Sequence, residues 1–433
     1  MVDTNSFRSR KKGLALILAL PIFIVSCYEC LRRIHSPKRR QNPSQGNLQS
    51  SGSIQPMEKT NKGKRVLFLT PDFPMWDGGV SVLAEKFASF FCSHGHAVTV
   101  ATPLQLAEDE VFDARQPHRI LRWKNVKDRY FKYYFAHWKL CRLLGRERFD
   151  HIVCLTWHPF ANAVHRYSRG TNLTIMANGN DFLENRWQRP FWKRRMHQAF
   201  HQADRVVCCS NESKRILLET IPGLETKTHA LLPAVDPDEF APDTTPRHPP
   251  VLLTLGRVVA RKGQDMVIRA LPGILKEFPA LQYWVAGRGA HLDALKTLVN
   301  RLGLENNVRF LGFVSAEERL RLYQECSIYL MPSRTIGDQG DFEGFGITYL
   351  EANACGRPTI GGRSGGVADA VLDGETGFLV DPESPNEIAE KTLLLWRDPE
   401  LAARLGQQGR ERIERKLNWN ATARKLASLI GTT

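Results

Sequence analysis

The sequence has few residues placed to hold a metal ion or a disulfide framework. Of its nine cysteines, only Cys27 and Cys30 form a Cys-x-x-Cys pair, and that pair adjoins an apolar stretch. Cys208 and Cys209 are adjacent, and no second pair of ligands follows them at zinc-site spacing. Most of the cysteines are therefore interpreted as small buried hydrophobic residues of a protein in a reducing compartment.

Net positive charge is scarce outside the N-terminal segment. The chain carries a formal net charge of +15, but residues 1–65 hold 13 lysines and arginines against 3 acidic residues, a net charge of +10. The other 368 residues therefore carry only +5. A nucleic-acid-binding protein would carry its excess charge on the folded part, so no nucleic-acid partner is predicted.

No apolar run is as long as an ordinary membrane span. The longest, residues 13–28, has 16 uncharged residues and would extend about 24 Å as a helix, against a hydrocarbon core of about 30 Å. Three interpretations stay open. In the first, the run is a short signal anchor or monotopic helix with basic residues 32–40 in the cytoplasm. In the second, it is an exported signal with a lipoprotein-like box at Cys27. In the third, translation starts after the run, at Met57.

The anchor interpretation is favoured over the other two. It makes residues 1–35 a membrane anchor. Residues 36–63, which are rich in Ser, Pro, Gln and Gly and poor in apolar residues, are then a disordered linker. The protein is expected at the cytoplasmic face of a membrane, or in the cytoplasm if residues 1–56 are not translated.

From residue 64 onward, apolar strands alternate with helices of mixed polarity in two successive halves. Continuous apolar runs are typical of strands buried on both faces of a parallel sheet. The predicted fold is α/β, with two doubly wound Rossmann-like domains at residues 64–240 and 250–415 that face a ligand-binding cleft. Residues 416–433 are predicted to be a helix that packs back on the first domain. The predicted strands are 64–70, 96–103, 151–157, 173–179 and 205–210, then 250–256, 281–287, 307–313, 327–333, 357–362 and 376–381.

Glycines and charges recur where predicted strands end. Gly78 and Gly79 precede a helix, and Arg257 and Lys262 flank a turn. The sequence "EGFG" at residues 343–346 opens another helix. Free backbone N–H groups at a helix start attract anions, and the two cations add charge for the same ligand. Each element alone is more often a turn, a cap or a surface charge, but together they predict a diphosphate site.

Two carboxylates, Glu343 and Glu351, stand at the two ends of the junction between this loop and its helix. Glu343 lies beside the glycines and is predicted to bond sugar hydroxyls. Glu351 lies on the helix and is predicted to accept hydrogen bonds from a ribose diol. The apolar neighbours in "TYLEANAC" indicate that Glu351 is buried, where an unpaired carboxylate is costly.

A serine hydrolase is excluded. Residues 362–366 read Gly-Arg-Ser-Gly-Gly, the pattern of a nucleophile turn between a strand and a helix. The order Ser…Asp/Glu…His then requires a histidine after Ser364, and the last histidine of the chain is His291.

These motifs, in this order, resemble the retaining glycosyltransferases of family 4, which have the GT-B fold. The likeness spans residues 64–431 and is strongest over residues 250–382. "EGFGITYLE" is similar to the family's E-x7-E motif, "GRVVARKG" to its Arg/Lys phosphate motif, and "GGVADAVLDGETGFLV" to the loop that closes its donor site. Residues 331–358 look most like phosphatidylinositol-mannoside type mannosyltransferases and their bacterial relatives.

The resemblance implies transfer of a hexosyl group, with mannose favoured, from a nucleotide sugar with retention of configuration and without a metal or other cofactor. GDP-mannose is favoured over a UDP-sugar, and the acceptor is expected to be lipid-linked or a glycan. The implied catalytic residues are Arg257, Lys262 and Glu343. The implied donor-binding residues are Glu351, Gly344, Phe345, Gly346, Ile347 and Ser333. The implied acceptor-side residues are Gly78, Gly79, Asn178, Asp181 and His158.

The acceptor side departs from the family pattern. Where the family commonly has His-Gly-x-Asp, residues 178–181 read Asn-Gly-Asn-Asp. Asn178 can donate a hydrogen bond to a sugar hydroxyl but cannot take a charge. A catalytically inactive binding protein of the same fold therefore stays open, and so does a nucleotide-sugar 2-epimerase, which shares the GT-B architecture. His158 is interpreted first as a capping or core residue, and Asp-Pro-Asp at residues 236–238 is assigned no metal.

Two segments of the first domain, residues 122–146 and 186–200, mix basic and aromatic residues. Both are predicted to be amphipathic helices whose aromatic side chains lie either in the core or at a membrane surface. Together with the predicted anchor, they suggest that this domain docks on an anionic membrane and glycosylates a lipid-linked acceptor.

Overall fold

The computed structural model describes residues 63–73, 79–104, 109–124, 129–164, 170–183, 185–243, 250–337 and 341–432. The predicted anchor, all but the last residue of the predicted linker, and Gly78 lie outside the described residues. In the part that is described, no helix is both long and apolar enough to cross a membrane.

The first domain is built on a seven-stranded parallel sheet. Its strands are β1 (Arg65–Leu69), β2 (Ala97–Leu104), β3 (Arg119–Lys124), β4 (His151–Cys154), β5 (Asn172–Ala177), β6 (Arg205–Cys208) and β7 (Thr228–Ala230). They lie in the order β3-β2-β1-β4-β5-β6-β7. The central strands are buried on both faces, with Val66, Leu67 and Phe68 each 0% exposed, which explains their continuous apolar sequences.

The second domain contains a six-stranded parallel sheet. Its strands are β8 (Val251–Leu255), β9 (Gln282–Ala286), β10 (Val308–Gly312), β11 (Ile328–Met331), β12 (Thr359–Gly362) and β13 (Gly377–Val380). They lie in the order β10-β9-β8-β11-β12-β13. The two sheets confirm the predicted α/β fold class.

Helices flank both sheets. In the first domain they are α1 (Gly79–Ser93), α2 (Asp109–Asp113), α3 (Arg129–Arg146), α4 (Asn162–Val164), α5 (Pro190–Gln202) and α6 (Asn211–Thr220). In the second domain they are α7 (Gln264–Ile274), α8 (Leu292–Leu302), α9 (Ala316–Glu325), α10 (Ile347–Ala354), α11 (Val367–Ala370), α12 (Pro385–Arg397) and α13 (Pro399–Lys416), followed by the final helix α14 (Trp419–Ile430).

Every strand predicted from the sequence is present, but the edge strands β3 and β7 are not among the predictions. The predicted helix at residues 122–146 is wrong at its start, because residues 122–124 belong to β3 and α3 begins only at Arg129. An edge strand can carry charged residues, so β3 lacks a continuous apolar run. Arg122 of β3 instead pairs with Asp109 at 3.0 Å and Asp113 at 2.7 Å.

The chain crosses between the domains twice, and the two crossings are bonded to each other. Val235 N, on the first crossing, donates to Leu417 O, on the second, at 3.0 Å. Beyond it, α14 packs against α1 of the first domain, with the rings of Trp419 and Phe87 6.3 Å apart. Leu426 of α14 is completely buried in the first domain's core, which contributes about 1.5–3 kcal/mol to the free energy of folding.

The carboxyl edges of the two sheets meet. In each sheet the strand order reverses, beside β1 and beside β8, and the loops there diverge to leave a crevice. Gly179, which follows β5, lies against Gly344, which follows β11, so closely that a Cβ on Gly179 would be 3.1 Å from the Cα of Gly344. Loops of both domains therefore line one shared region.

Candidate active site

Glu343 lies in the loop between β11 and α10, and three hydrogen-bond donors hold its side chain. Its side chain is buried, with 8% of the residue exposed. Arg261 Nη1 and Lys262 Nζ each lie 2.6 Å from its Oε2. Ser333 Oγ donates to the same oxygen at 3.3 Å. The other oxygen, Oε1, accepts no hydrogen bond from any residue that the structure describes.

These donors come from two neighbouring strand ends. Arg261 and Lys262 lie in a short 3-10 turn, Ala260–Lys262, that follows β8. Ser333 lies just after β11, and β8 and β11 are paired in the sheet. Because parallel strands end at the same edge, residues that are about 70 positions apart in sequence converge on one carboxylate.

The cations keep Glu343 ionised. Burial raises the pKa of Glu343, but Lys262 and Arg261 lower it more, so that the pKa falls to about 2. Burial lowers the pKa of Lys262, and Glu343 opposes that shift. Arg257, between β8 and the turn Ala260–Lys262, is exposed and makes no ion pair with any described residue. Its charge is therefore accessible to an anionic ligand.

Arg261 is a residue of the site that sequence reasoning missed. It is 4% exposed, and its Nε lies 3.2 Å from Asp341 Oδ1 in addition to its bond with Glu343. The only signal was the adjacent cations in "ARKG", since a buried arginine needs a carboxylate partner. The sequence does not reveal which carboxylate that is.

The glycine loop at residues 343–346 places the N-terminus of α10 next to Glu343. Gly346 has a φ of +92°, and α10 begins at the next residue, Ile347, which is half-buried. No side chain caps the N-terminus of α10, so its first backbone N–H groups stay available to an anion. Phe345 is 4% exposed and belongs to the core of the second domain, where it fixes the loop.

Glu351 is buried in α10 as predicted, but it is not unpaired. The Tyr323 hydroxyl, on α9, donates to its Oε2 at 2.7 Å, and Arg319 Nη1 lies 3.6 Å from its Oε1. Burial raises the pKa of Glu351, while Arg319 and the Tyr323 hydrogen bond act in the opposite direction. The sequence gives no signal for either partner, because both lie on another helix.

Asn178, one of the predicted acceptor-side residues, makes a hydrogen bond within the first domain. It follows β5, and its Nδ2 donates to the backbone oxygen of Leu155, after β4, at 2.7 Å. One amide hydrogen predicted to meet a sugar is therefore used inside the domain, which leaves the second hydrogen and Oδ1. Asp181 lies in the next turn, where its backbone oxygen accepts from Trp157 Nε1 at 2.7 Å. Gly79 begins α1.

His158 lies in an aromatic cluster of the first domain. Its ring centroid is 5.3 Å from that of Trp157, 4.6 Å from that of Trp187 and 5.2 Å from that of Trp192. Trp157 is 0% exposed and Trp187 is 3% exposed. This packing agrees with the core interpretation of His158 and does not bring it to Glu343.

The described residues contain no group of three or more His, Cys, Asp or Glu side chains that could hold a metal ion. In the Asp-Pro-Asp stretch, Asp236 Oδ1 accepts from the backbone N of Asp238 at 3.0 Å, which forms a local turn. Ser364, of the hydrolase-like motif, lies 2.9 Å from the hydroxyl of Thr335.

Comparison with known families covers most of the chain. The family model described as Glycosyltransferase Family 4 matches residues 77–239, and the one described as Glycosyl transferases group 1 matches residues 236–412. The chain belongs to glycosyltransferase family 4. This glycosyltransferase is a hexosyltransferase, which confirms the resemblance read from its motifs.

The curated relatives match almost over their whole length. The glycosyltransferase is 30% identical to a GDP-mannose-dependent alpha-(1-6)-phosphatidylinositol monomannoside mannosyltransferase of Mycolicibacterium smegmatis, over 84% of this chain and 98% of the relative. It is 29% identical to a protein of the same description from Mycobacterium tuberculosis, with the same coverage.

Solved structures confirm the GT-B fold. The glycosyltransferase matches the Anabaena protein HepE, solved in complex with UDP and glucose, with a TM-score of 0.69 and 20% identity over 86% of this chain and 100% of the other. It matches a sucrose-phosphate synthase from Thermosynechococcus elongatus with a TM-score of 0.69 and 20% identity, over 84% and 98%. At this identity the likeness establishes the fold alone.

Proposed function

We propose that this enzyme transfers mannose from GDP-mannose to a lipid-linked acceptor, with retention of configuration and without a metal ion, at the cytoplasmic face of a membrane. The observation that carries the proposal is the arrangement around Glu343. Three donors hold one carboxylate oxygen, and the other oxygen is left to accept from a ligand. The description of the relatives as GDP-mannose-dependent supports the choice of donor.

The donor diphosphate would lie between Arg257, Lys262 and the start of α10. When the bond between the sugar C1 and the phosphate oxygen breaks, its electron pair goes to the diphosphate. Arg257, Lys262 turned from Glu343, and the backbone N–H groups at the start of α10 would stabilise that charge, and such electrostatic stabilisation is commonly the largest catalytic contribution. The acceptor hydroxyl would form the new bond to C1, and its proton would go to the departing phosphate oxygen.

Glu343 and Glu351 would hold the two ends of the donor. Glu343 Oε1 would accept from a sugar hydroxyl. Glu351 Oε1 has Arg319 at 3.6 Å, beyond hydrogen-bond distance, and would accept from the ribose diol. Arg319 has 32% of its side chain exposed, so it can move aside. Glu351→Ala is therefore expected to weaken donor binding, and Arg257→Ala to lower turnover.

The test is thermal stabilisation of the protein by a panel of nucleotides and nucleotide sugars, with and without EDTA, followed by a transfer assay with lipid-linked and glycan acceptors. A Tm that rises selectively with GDP or GDP-mannose and ignores EDTA supports the donor and the metal-independent site. A Tm that rises selectively with a UDP-sugar would identify that sugar nucleotide as the donor in place of GDP-mannose. A rise in Tm that disappears in EDTA would contradict the metal-free mechanism. A glycosylated product with the donor's anomeric configuration separates retaining transfer from inversion and from epimerisation.

A further inference from the structure

The start of α6 in the first domain is bonded to a carboxylate of the second domain. Asn211 is the first residue of α6, and its backbone N donates to Asp369 Oδ2 at 2.6 Å. Its side-chain Nδ2 donates to Asp369 Oδ1 at 2.7 Å. Both carboxylate oxygens are thus engaged across the cleft, at a helix N-terminus, where a negative charge is favoured.

This contact lies beside the loop that carries Glu343. Gly366, three residues before Asp369, donates from its backbone N to the backbone oxygen of Glu343 at 2.8 Å. On the other side, Ser213 Oγ of α6 lies 3.4 Å from the backbone oxygen of Gly344. The start of α6 therefore contacts two segments next to Glu343. One is the loop at Gly344, and the other is the turn that runs from Gly366 to Asp369.

The approach is so close that only glycine fits at the seam. A Cβ on Gly366 would lie 2.1 Å from the backbone oxygen of Gly344 and 2.7 Å from Ser210 Oγ. On the first-domain side, a Cβ on Gly179 would lie 3.1 Å from the Cα of Gly344. Glycines on both sides thus let the backbones of the two domains meet, and the closed arrangement depends on them.

Asp369 is also fixed within its own domain. Arg412, on α13, donates from Nη2 to the backbone oxygen of Asp369 at 2.6 Å and from Nη1 to that of Ala370 at 2.7 Å. Helix α13 ends at Lys416, directly before the second crossing between the domains. Arg412 therefore joins the backbone at Asp369 to the helix that leads into the second crossing.

We propose that Asn211 and Asp369 form a latch that closes the cleft and sets the position of the Glu343 loop for the reaction. Both are positioning residues, since they act through the loop and touch no substrate. The catalytic consequence rests on the proposed donor site, whereas the latch itself is a contact between the domains and can be tested without a donor.

The first test compares Asp369→Ala and Asp369→Asn with the wild-type full chain. Amide hydrogen exchange at residues 211–213 is expected to accelerate, because the acceptor of the Asn211 N–H group is removed or weakened. With GDP-mannose, kcat is expected to fall about tenfold while the KM for the donor changes less than about threefold. Small-angle scattering is expected to show a larger radius of gyration.

Asp398→Ala is the matched control. Asp398 also accepts a bond at a helix start, from Leu401 N at 2.9 Å, but it lies within the second domain. Its removal costs a similar helix cap, so it reports the effect of local destabilisation alone. It is expected to leave kcat and the exchange at residues 211–213 unchanged.

A second test approaches the latch from the first domain. Asn211→Asp places two carboxylates against each other and is expected to reproduce the Asp369→Ala phenotype. Combining Asn211→Asp with Asp369→Asn restores a donor and an acceptor and is expected to recover most of the lost kcat. Unchanged kcat and unchanged exchange in every single variant would overturn the latch. A wild-type protein that binds no nucleotide sugar would overturn the proposed donor site, and the exchange experiment would still decide on the latch.

Discussion

At the scale of single residues, the site depends on a surplus of cations around Glu343. If Lys262 alone held the carboxylate, its movement toward a diphosphate would leave Glu343 as a buried, unpaired charge. Arg261 prevents this, because it binds the same oxygen from the same turn and is itself paired with Asp341. In the proposed function, Lys262 would therefore turn to the ligand while Arg261 keeps Glu343 oriented.

This arrangement predicts a pH-dependent stability. The pKa of Glu343 is about 2 against an ordinary value of 4.5, so its stabilising contribution is complete above about pH 4.5 and is lost as the pH falls toward 2. The difference corresponds to about 3 kcal/mol. Arg261→Met raises the pKa and is expected to lower the free energy of unfolding by about 1–2 kcal/mol at pH 7, with a smaller loss at pH 3.

Urea unfolding at several pH values measures this difference. Arg397→Met is the control, since Arg397 pairs with Glu277 on the surface, where an ion pair contributes little. A stability loss for Arg261→Met that is equal at pH 7 and pH 3 would mean that the arginine only fills space.

At the scale of an element, the start of α10 is set by one glycine. Gly346 adopts a φ of +92°, and a Cβ there would lie 2.5 Å from the ring of Tyr349. Tyr349 is completely buried, so the ring cannot move aside without disturbing the core. The helix start and its free N–H groups are thus fixed by the absence of a side chain.

Gly346→Ala is expected to destabilise the protein by about 1–3 kcal/mol and to weaken nucleotide binding at least about fivefold. Gly374→Ala is the matched control, because Gly374 also has a positive φ, of +74°, but has nothing within 4 Å of its would-be Cβ. Thermal unfolding and nucleotide titration measure both effects. Equal losses of nucleotide affinity in the two variants would contradict a specific role for the start of α10.

At the scale of the whole molecule, the distribution of charge points to a surface for an anionic membrane. Residues 185–203 contain no acidic residue and include α5. Phe191 at the start of α5 is 63% exposed, and the neighbouring Lys193 and Arg194 are exposed beside it. An exposed aromatic ring among cations is typical of a helix that lies at a membrane interface.

We expect the full chain and a version comprising residues 57–433 to bind vesicles that contain phosphatidylglycerol, with affinity falling as salt rises. Phe191→Ser is expected to weaken the binding of the shorter version about threefold or more. Val111→Ser, at a residue 59% exposed in the same domain but outside this segment, is the control. Absence of both versions from sedimented vesicles would contradict membrane docking.

Much of the fold could be predicted because local sequence and burial agree. Strand β11 and strand β1 after Arg65 are continuous runs of buried, mostly apolar residues, since both faces of their sheets are covered. Strands β3 and β7 could not be predicted in the same way. At the edge of a sheet a strand is partly solvated, so the exposed Arg119 is tolerated. Arg122, whose side chain is buried, is tolerated because it pairs with Asp109 and Asp113, and the apolar signal disappears.

The sequence by itself determined the order of the elements, the family and the residue types at the site, because glycine loops, helix starts and cations lie close together along the chain. Only the tertiary structure decided which groups meet. Arg261 pairs with Glu343, Tyr323 with Glu351, and Asn211 with Asp369, across 82, 28 and 158 residues. Such pairs are set by which strands are neighbours and by how two domains face each other, and neither leaves a trace in local sequence.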